Sequence, residues 1–473
     1  MVFLALIAGA LVPAAARATV PGHWDPVTAA TGANIDQVAL LRTPDGSLHV
    51  VWHQEPQGSD VGTALLQTVI TAGGAVGPAQ TIVSGWAGIG DATMMHAANG
   101  QILLFVPATR SASALDPLQS IEEWTSSDGG ATWALSPQPV AFNGGFSDPL
   151  GGALAPDGAT PVIAWGTTDG LWVHRGTDPN VAGANLQSAS GFNCCGYDPA
   201  AAVDGASGAI TVAWYALVDQ GNAVYARTVD PTTGAATGTT LRMPGTLNAV
   251  TPDQRIGLTG VSGKPGVFAA YAGGGASSTK ILVWKVGAAG STTVASNRTG
   301  ELRTPAISAT PDGRLWVAWA SDGRIWARRS NRARTVWGAA TSIPGRAHTQ
   351  TVYKLATSAQ PGVLDVLAAF SPSATGGVQT WHSQIDPGLT VAATPAHPHV
   401  HPRHHATFKI TVSDAGSAAS RATVAVAGHH LHTGSHGTVT VTLGPFSHTS
   451  TLHVAAQKAG YAPGAATIRV RVS

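Results

Sequence analysis

Five aspartates recur along this chain at nearly constant spacing. They lie 55, 57, 50 and 55 residues apart, each just before a short apolar segment: Asp36, Asp91, Asp148, Asp198 and Asp253. Carboxylates brought together raise one another's pKa or bind a cation, and Ca²⁺ prefers oxygen ligands. Such a set could bind Ca²⁺, perform acid–base catalysis on a glycoside, or hydrogen-bond sugar hydroxyls. The structural alternative is that each Asp only caps its own turn, as Asp-Pro pairs often do.

The only two cysteines of the chain are adjacent, Cys194 and Cys195, three residues before Asp198. In an oxidising compartment they would form a vicinal disulfide, although neighbouring Cα atoms lie about 3.8 Å apart, less than most disulfides span. Free thiols and intermolecular disulfides are the alternatives. A vicinal disulfide would be a stiff apolar platform for a sugar face, or simply a rigid turn.

The segments that follow the aspartates belong to a repeat of about 50 residues. Thr304–Ser330 shows its pattern: a short apolar strand, a Pro-Asp-Gly turn, a continuous apolar strand, a Ser-Asp-Gly turn and an alternating strand. The continuous apolar strand occurs seven times, in Leu48–His53, Ile102–Pro107, Pro161–Gly166, Ile210–Tyr215, Gly266–Tyr271, Leu315–Ala320 and Leu364–Phe370.

The length of this repeat predicts an all-β fold of the β-propeller class. The turns before successive apolar strands lie 54, 58, 50, 55, 50 and 49 residues apart, the length of a propeller blade, whereas an array of Ig-like domains needs roughly 100 residues per unit. We predict seven blades over residues 30–390, with six as the alternative. Equivalent positions then form a ring. The five aspartates and the cysteine pair would therefore share one mouth of the central channel.

A local motif supports this fold. Its serine, aspartate, glycine, threonine and tryptophan match the pattern S-x-D-x-G-x-T-W: Ser126, Asp128, Gly130, Thr132 and Trp133. The stretch resembles the Asp box of the sialidase-like (BNR-repeat) β-propellers. The resemblance implies that Asp128 stabilises a hairpin on the face opposite the ligand site. The family's Arg-Ile-Pro motif has no match, so the resemblance extends to the architecture and not to sialidase catalysis.

Composition and the N-terminal segment indicate an exported protein. Of 473 residues only 11% are charged and the net charge is +1, which offers no electrostatic basis for binding nucleic acid. Val2–Ala16 is apolar and leads into Ala16-Arg17-Ala18, so we predict a signal peptide at 1–18; a buried strand or short helix is the alternative. A membrane span needs roughly 20 apolar residues, and no other stretch qualifies after cleavage.

The composition changes after the last repeat. We predict a Pro/His-rich linker over 391–405 and a β-sandwich over 406–473 that resembles small Ig-like or carboxypeptidase-regulatory-like domains. Eleven of the 18 histidines lie between His397 and His453. They would serve surface solubility or bind a transition metal weakly.

These features lead to three functional hypotheses. The first is a secreted, monomeric sialidase-like propeller that binds an extracellular glycan or similar ligand at the channel mouth, with Ca²⁺ as the one conditional cofactor. The second is a glycoside hydrolase that uses two of the ring aspartates. The third is a scaffold that binds a protein partner across the propeller face.

Overall fold

The structure is a computed structural model that describes residues 21–28, 37–55, 62–111, 118–142, 147–167, 170–187, 196–216, 222–246, 256–273, 278–298, 300–346, 351–371 and 378–473. Within these residues every regular element is a β-strand, so the prediction of an all-β chain is confirmed. The search for a helix that could cross a membrane, made over the same residues, finds none. The predicted signal peptide lies outside them.

The first two repeats share one nine-stranded sheet. They are joined where the fourth strand of the first repeat pairs with the second strand of the next. The strands are Ala39–Arg42, Leu48–Gln54, Gly62–Ile70, Gln80–Ile89, Thr93–His96, Ile102–Thr109, Ser120–Ser126, Ala134–Leu135 and Ala141–Phe142.

The next four repeats each form an antiparallel four-stranded sheet in chain order. The third has Ser147–Leu154, Pro161–Thr167, Gly170–Arg175 and Ala184–Asn185, and the fourth has Gly196–Val203, Ile210–Ala216, Ala223–Val229 and Ala236–Arg242. The fifth has Gly257–Val261, Lys264–Gly273, Lys280–Lys285 and Thr292–Ser296, and the sixth has Arg303–Ala309, Leu315–Ser321, Arg324–Arg329 and Thr341–Pro344. The second strands are mostly apolar because they are covered on both faces; every residue of Leu315–Ser321 is buried.

The sheet of the seventh repeat combines both ends of the repeat region. Thr351–Ala359, Leu364–Ser371 and Gln379–Ile385 are completed by the N-terminal strand Asp25–Pro26, which pairs with Gln379–Ile385. The buried Thr28 strengthens this pairing, because its Oγ1 accepts a hydrogen bond from the backbone N–H of Thr380 at 3.0 Å.

The first strands of the repeats surround a central cavity. They contact one another in chain order, and Thr351–Ala359 of the seventh repeat contacts Ala39–Arg42 of the first. The cavity measures about 240 Å³ and is lined largely by small residues. Crowding explains their size, since a Cβ at Gly151 would lie 3.1 Å from the backbone of Ala200 in the next repeat. Radial sheets around such an axis are the arrangement of a β-propeller.

The C-terminal residues form a two-sheet sandwich. One sheet has Thr390–Thr394, His404–Asp414, Ser417–Ala418 and Thr438–Phe446, and the other has His399–Val400, Thr423–Val426, His429–His432, Ser450–Gln457 and Gly464–Val472. Apolar side chains of both sheets meet in a common core that includes Phe408, Ile410, Val424, Val454 and Ile468.

The stretch 391–405 departs from the prediction of a linker, because it contributes strands to this sandwich. Thr390–Thr394 pairs with His404–Asp414, and His399–Val400 pairs with Gly464–Val472. The prolines of this stretch obscure its pattern of apolar residues in the sequence. Val391, Ala393 and Val400 are those apolar residues, and they pack against the sandwich core. The eleven histidines between His397 and His453 are all exposed.

Candidate functional site

The described residues include part of the predicted ring. The side chains of Asp91 and Asp198 are described, and Asp148 lies in Ser147–Leu154, but its side chain is outside the description. Asp36 and Asp253 lie outside the described residues, as do Cys194 and Cys195. The five-carboxylate ring and the vicinal disulfide therefore stay predictions. Among the residues that are described, no three His, Cys, Asp or Glu side chains are grouped to hold a metal ion.

Asp91 lies in a buried polar group between the first two repeats. Its side chain is 1% exposed, and Oδ1 accepts a hydrogen bond at 3.1 Å from the backbone N–H of Gln37, 54 residues earlier. The same oxygen lies 3.4 Å from Nδ1 of His53, whose Nε2 lies 2.8 Å from Oε1 of Glu55. Asp91 therefore links the segment before the first strand of the first repeat to the segment before the first strand of the second repeat.

The group consists of an imidazole between two carboxylates. Burying a charged group is costly unless it is paired and hydrogen-bonded, and His53 faces a carboxylate oxygen with each ring nitrogen. This arrangement holds two buried carboxylates in fixed positions, and Ala92, the residue after Asp91, lines the central cavity. Sequence analysis missed His53 and Glu55, although polar residues at the end of an otherwise apolar strand were a usable signal.

Asp198 occupies a β-bulge at the start of the fourth repeat. Its backbone has φ 49°, and the strand register shifts between Tyr197 and Ala200. The sixth repeat has the same irregularity at the equivalent position, where Thr304 has φ 48°. In both repeats a proline follows and cannot donate a ladder hydrogen bond, so the pairing breaks there. Bulges redirect side chains and are common next to functional sites.

The turn of the predicted Asp box is built around Asp128. Its Oδ1 accepts hydrogen bonds from Ser126 Oγ at 2.8 Å and from the N–H of Thr132 at 2.9 Å, and its Oδ2 accepts one from Thr132 Oγ1 at 2.6 Å. These bonds, with that from Thr132 Oγ1 strongest, lower the pKa of Asp128 to about 2. Gly129 and Gly130 supply the positive φ angles of the turn, 69° and 82°.

This turn also connects two repeats, at the end of the sheets opposite Asp91. Trp133 Nε1 donates to Gln67 Oε1 at 3.0 Å, and Gln67 Nε2 donates to the carbonyl of Gly130. Gly129 borders the same pocket as Asp45 and Gly100, which belong to turns between first and second strands. Asp91, in contrast, lies beside Gln37, where a first strand begins.

The glutamates of the described propeller region are held by their neighbours. Glu122 pairs with Arg110, and the buried Glu123 accepts a hydrogen bond from Ser136 Oγ at 2.8 Å. Burial raises the pKa of Glu123. Glu301 pairs with Arg303 at the surface. Only Glu55 belongs to the polar group with Asp91.

Comparison with known proteins gives similarity of fold alone. No family model matches the chain, and neither does any curated protein. A fungal alcohol oxidase of the AA5 family in complex with copper has a TM-score of 0.43 at 13% identity, covering 96% of this chain and 100% of that chain. The polysaccharide lyase Uly1 has a TM-score of 0.43 at 10% identity, and the match covers 76% of this chain and 91% of that chain. The Dos1 propeller has a TM-score of 0.41 at 12% identity, and the match covers 77% of this chain and 95% of that chain. Similarities this low carry no argument about the chemistry of this chain.

Proposed function

We propose that this chain is a secreted, seven-bladed, sialidase-like β-propeller with a C-terminal Ig-like sandwich, and that it binds an extracellular glycan at the mouth of its central channel. One observation carries the proposal. The first strands of seven repeats line a single cavity, and the buried Asp91 and the bulged Asp198 directly precede two of its lining residues, Ala92 and Pro199.

The predicted ring of five aspartates would suit a polyhydroxylated ligand. Carboxylate oxygens accept hydrogen bonds from hydroxyl groups and offer about four lone-pair sites each. The cavity, at about 240 Å³, is smaller than the ~300–1,000 Å³ of most ligand pockets. It therefore fits one terminal sugar unit of a longer chain, whose remainder would lie across the propeller face. Calcium shared by the ring aspartates is part of this proposal as a conditional cofactor.

Binding to a glycan array, followed by calorimetry on the glycans it identifies, tests this function. Asp198→Asn keeps a residue type that tolerates the left-handed backbone but removes the charge, and should weaken binding at least tenfold. Asp128→Asn, at the opposite end of the sheets, is the matched control and should bind like the wild type. Equal affinities for Asp198→Asn and the wild type would refute the mouth as the site.

The glycoside hydrolase alternative is favoured by the buried group of Asp91, His53 and Glu55, which places two carboxylates around one imidazole. Fluorogenic glycosides assayed with the same proteins distinguish it from binding. Turnover that is lost in Asp91→Asn would support catalysis, whereas binding without turnover supports the glycan-binding function. N-terminal sequencing of the exported protein tests secretion, with Thr19 expected as the first residue.

A further inference from the structure

A second groove lies between the fifth and sixth repeats. It has a volume of about 410 Å³ and runs between the fourth strand of the fifth repeat, Thr292–Ser296, and the hairpin formed by Leu315–Ser321 and Arg324–Arg329. This volume is within the range of small-molecule pockets, about 300–1,000 Å³. The groove is separate from the central cavity, with which it shares no lining residue.

Two tryptophans form the apolar side of this groove. Trp319 and Trp326 are directly opposite each other on adjacent strands, so their side chains lie on the same face of the sheet. Trp319 is 3% exposed and belongs to the core between the two repeats, whereas Trp326 is partly exposed. The guanidinium of Arg324 lies 6.0 Å from the Trp326 ring centroid, and its Nε donates to Ser342 Oγ at 2.9 Å. This hydrogen bond holds Arg324 beside the Trp326 ring.

Polar groups line the rim next to these rings. Ser321 Oγ donates to Asp322 Oδ2 at 3.1 Å, and Asn297 Nδ2 lies 3.4 Å from the same oxygen. Asp322 is exposed at a hairpin position with φ 51°. Arg328 is held deeper in the groove by a hydrogen bond from Nη1 to the carbonyl of Val294 at 2.6 Å. An amide and a carboxylate side by side offer the donor and the acceptors that neighbouring hydroxyls need.

The third repeat has the same tryptophan pair in different surroundings. Trp165 and Trp172 are also directly opposite on second and third strands. There the backbone of Gly183 approaches them so closely that a Cβ would lie 3.7 Å from both rings. The third repeat therefore supplies a matched control for the tryptophan pair of the groove.

We propose that this groove is a binding site for a neutral pyranose unit of an oligosaccharide. The apolar face of the sugar would lie against Trp326, and its hydroxyls would bond to Asn297 and Asp322. An aromatic surface beside a few convergent polar groups is the general composition of such sites. This inference is independent of the proposed function, because no residue of the channel mouth contributes to the groove.

Calorimetric titration with cellohexaose, xylohexaose and N-acetylchitohexaose tests the site in the full chain. At least one probe should bind, and Trp326→Ala should weaken its binding tenfold or more. Asn297→Ala should weaken it about threefold or more without removing a packed ring, which keeps the test valid if Trp326→Ala fails to fold. Trp172→Ala should bind like the wild type.

Three outcomes would overturn the assignment: no probe binds, both groove variants bind normally, or Trp172→Ala is as impaired as Trp326→Ala. A probe whose affinity depends on Asp198 and not on Trp326 would place the sugar at the channel mouth. That result would refute the groove and support the proposed function, so failure of one proposal is distinguishable from failure of the other.

Discussion

The carboxylate of Asp128 accepts three hydrogen bonds within a seven-residue turn, although its side chain is exposed to solvent. Asp91 has the same side chain but is buried beside His53 and joins two repeats. At the scale of single residues, aspartates of this chain thus serve turn stabilisation in one place and long-range polar contacts in another. Only the second arrangement places a carboxylate near the channel mouth.

Replacing Asp128 with Ala should lower the melting temperature at pH 7, because the turn loses its central acceptor. The pKa of Asp128 is lowered from 3.8 to about 2 in the folded state. A lowered folded-state pKa means that the contribution to stability is complete above about pH 4 and is lost as the pH falls through 2. The difference between wild type and Asp128→Ala should therefore shrink between pH 4 and pH 2.

Thermal unfolding followed by circular dichroism at pH 7, 4 and 2 measures this effect. Asp128→Asn keeps one acceptor oxygen and should fall between wild type and Asp128→Ala at pH 7. If Asp128→Ala melts at the wild-type temperature at pH 7, or if its deficit persists unchanged at pH 2, the stabilising role of the ionised carboxylate is wrong.

At the scale of the strand, a β-bulge recurs where the first strand of a repeat begins. Thr304 and Asp198 both have positive φ before a proline. Aspartate tolerates the left-handed region because its short side chain bonds locally, whereas a β-branched threonine there is strained. At position 198 the choice of aspartate thus has a backbone cause as well as the proposed ligand role.

Thr304→Asn should stabilise the propeller by about 1 kcal/mol, since asparagine tolerates the left-handed conformation that strains threonine. Thr292→Asn is the matched control, because Thr292 is exposed in a regular strand, where threonine is preferred over asparagine. Urea unfolding monitored by tryptophan fluorescence gives both free energies. If Thr292→Asn raises the free energy of unfolding as much as Thr304→Asn does, strain at Thr304 is not the cause of the stabilisation.

At the scale of the whole molecule, a buried ion cluster joins the propeller to the sandwich. Asp414 of the sandwich accepts hydrogen bonds from Arg329 at 2.5 Å and Arg314 at 3.3 Å, both in the sixth repeat. The guanidinium of Arg329 also lies 5.4 Å from the ring centroid of Trp316 and 5.8 Å from that of Tyr461. One carboxylate therefore pairs with two buried arginines at the contact between the domains, and Arg314 also lies 3.3 Å from the carboxylate of Asp312.

Asp414→Ala should destabilise the protein by about 3–5 kcal/mol, because removing one partner leaves buried charge uncompensated. Lys409→Ala, at an exposed position of the same strand, is the control and should change the stability little. Urea unfolding and limited proteolysis measure the loss, with earlier cleavage between propeller and sandwich expected in Asp414→Ala. Wild-type stability for this variant would mean that the cluster does not hold the domains together.

Local sequence alone determined the strands, their turns and the all-β class. A continuous apolar run such as Leu315–Ala320 predicts a buried strand, and Asp-Gly turns delimit it, because both properties depend on neighbouring residues. The repeat of about 50 residues then predicted the propeller, since equivalent blades must bury equivalent faces. The turn around Asp128 was accessible for the same reason: the donors to its carboxylate lie within four residues of it.

The tertiary structure alone decided which distant segments meet. Asp25–Pro26 is too short to carry a strand signal, and its pairing with Gln379–Ile385 depends on the last repeat arriving beside it. The contact of Asp91 with His53 and the groove between Asn297 and Trp326 also join residues that are far apart in the sequence. Such contacts follow from how the sheets pack, a property of the whole chain that the pattern around any single residue does not contain.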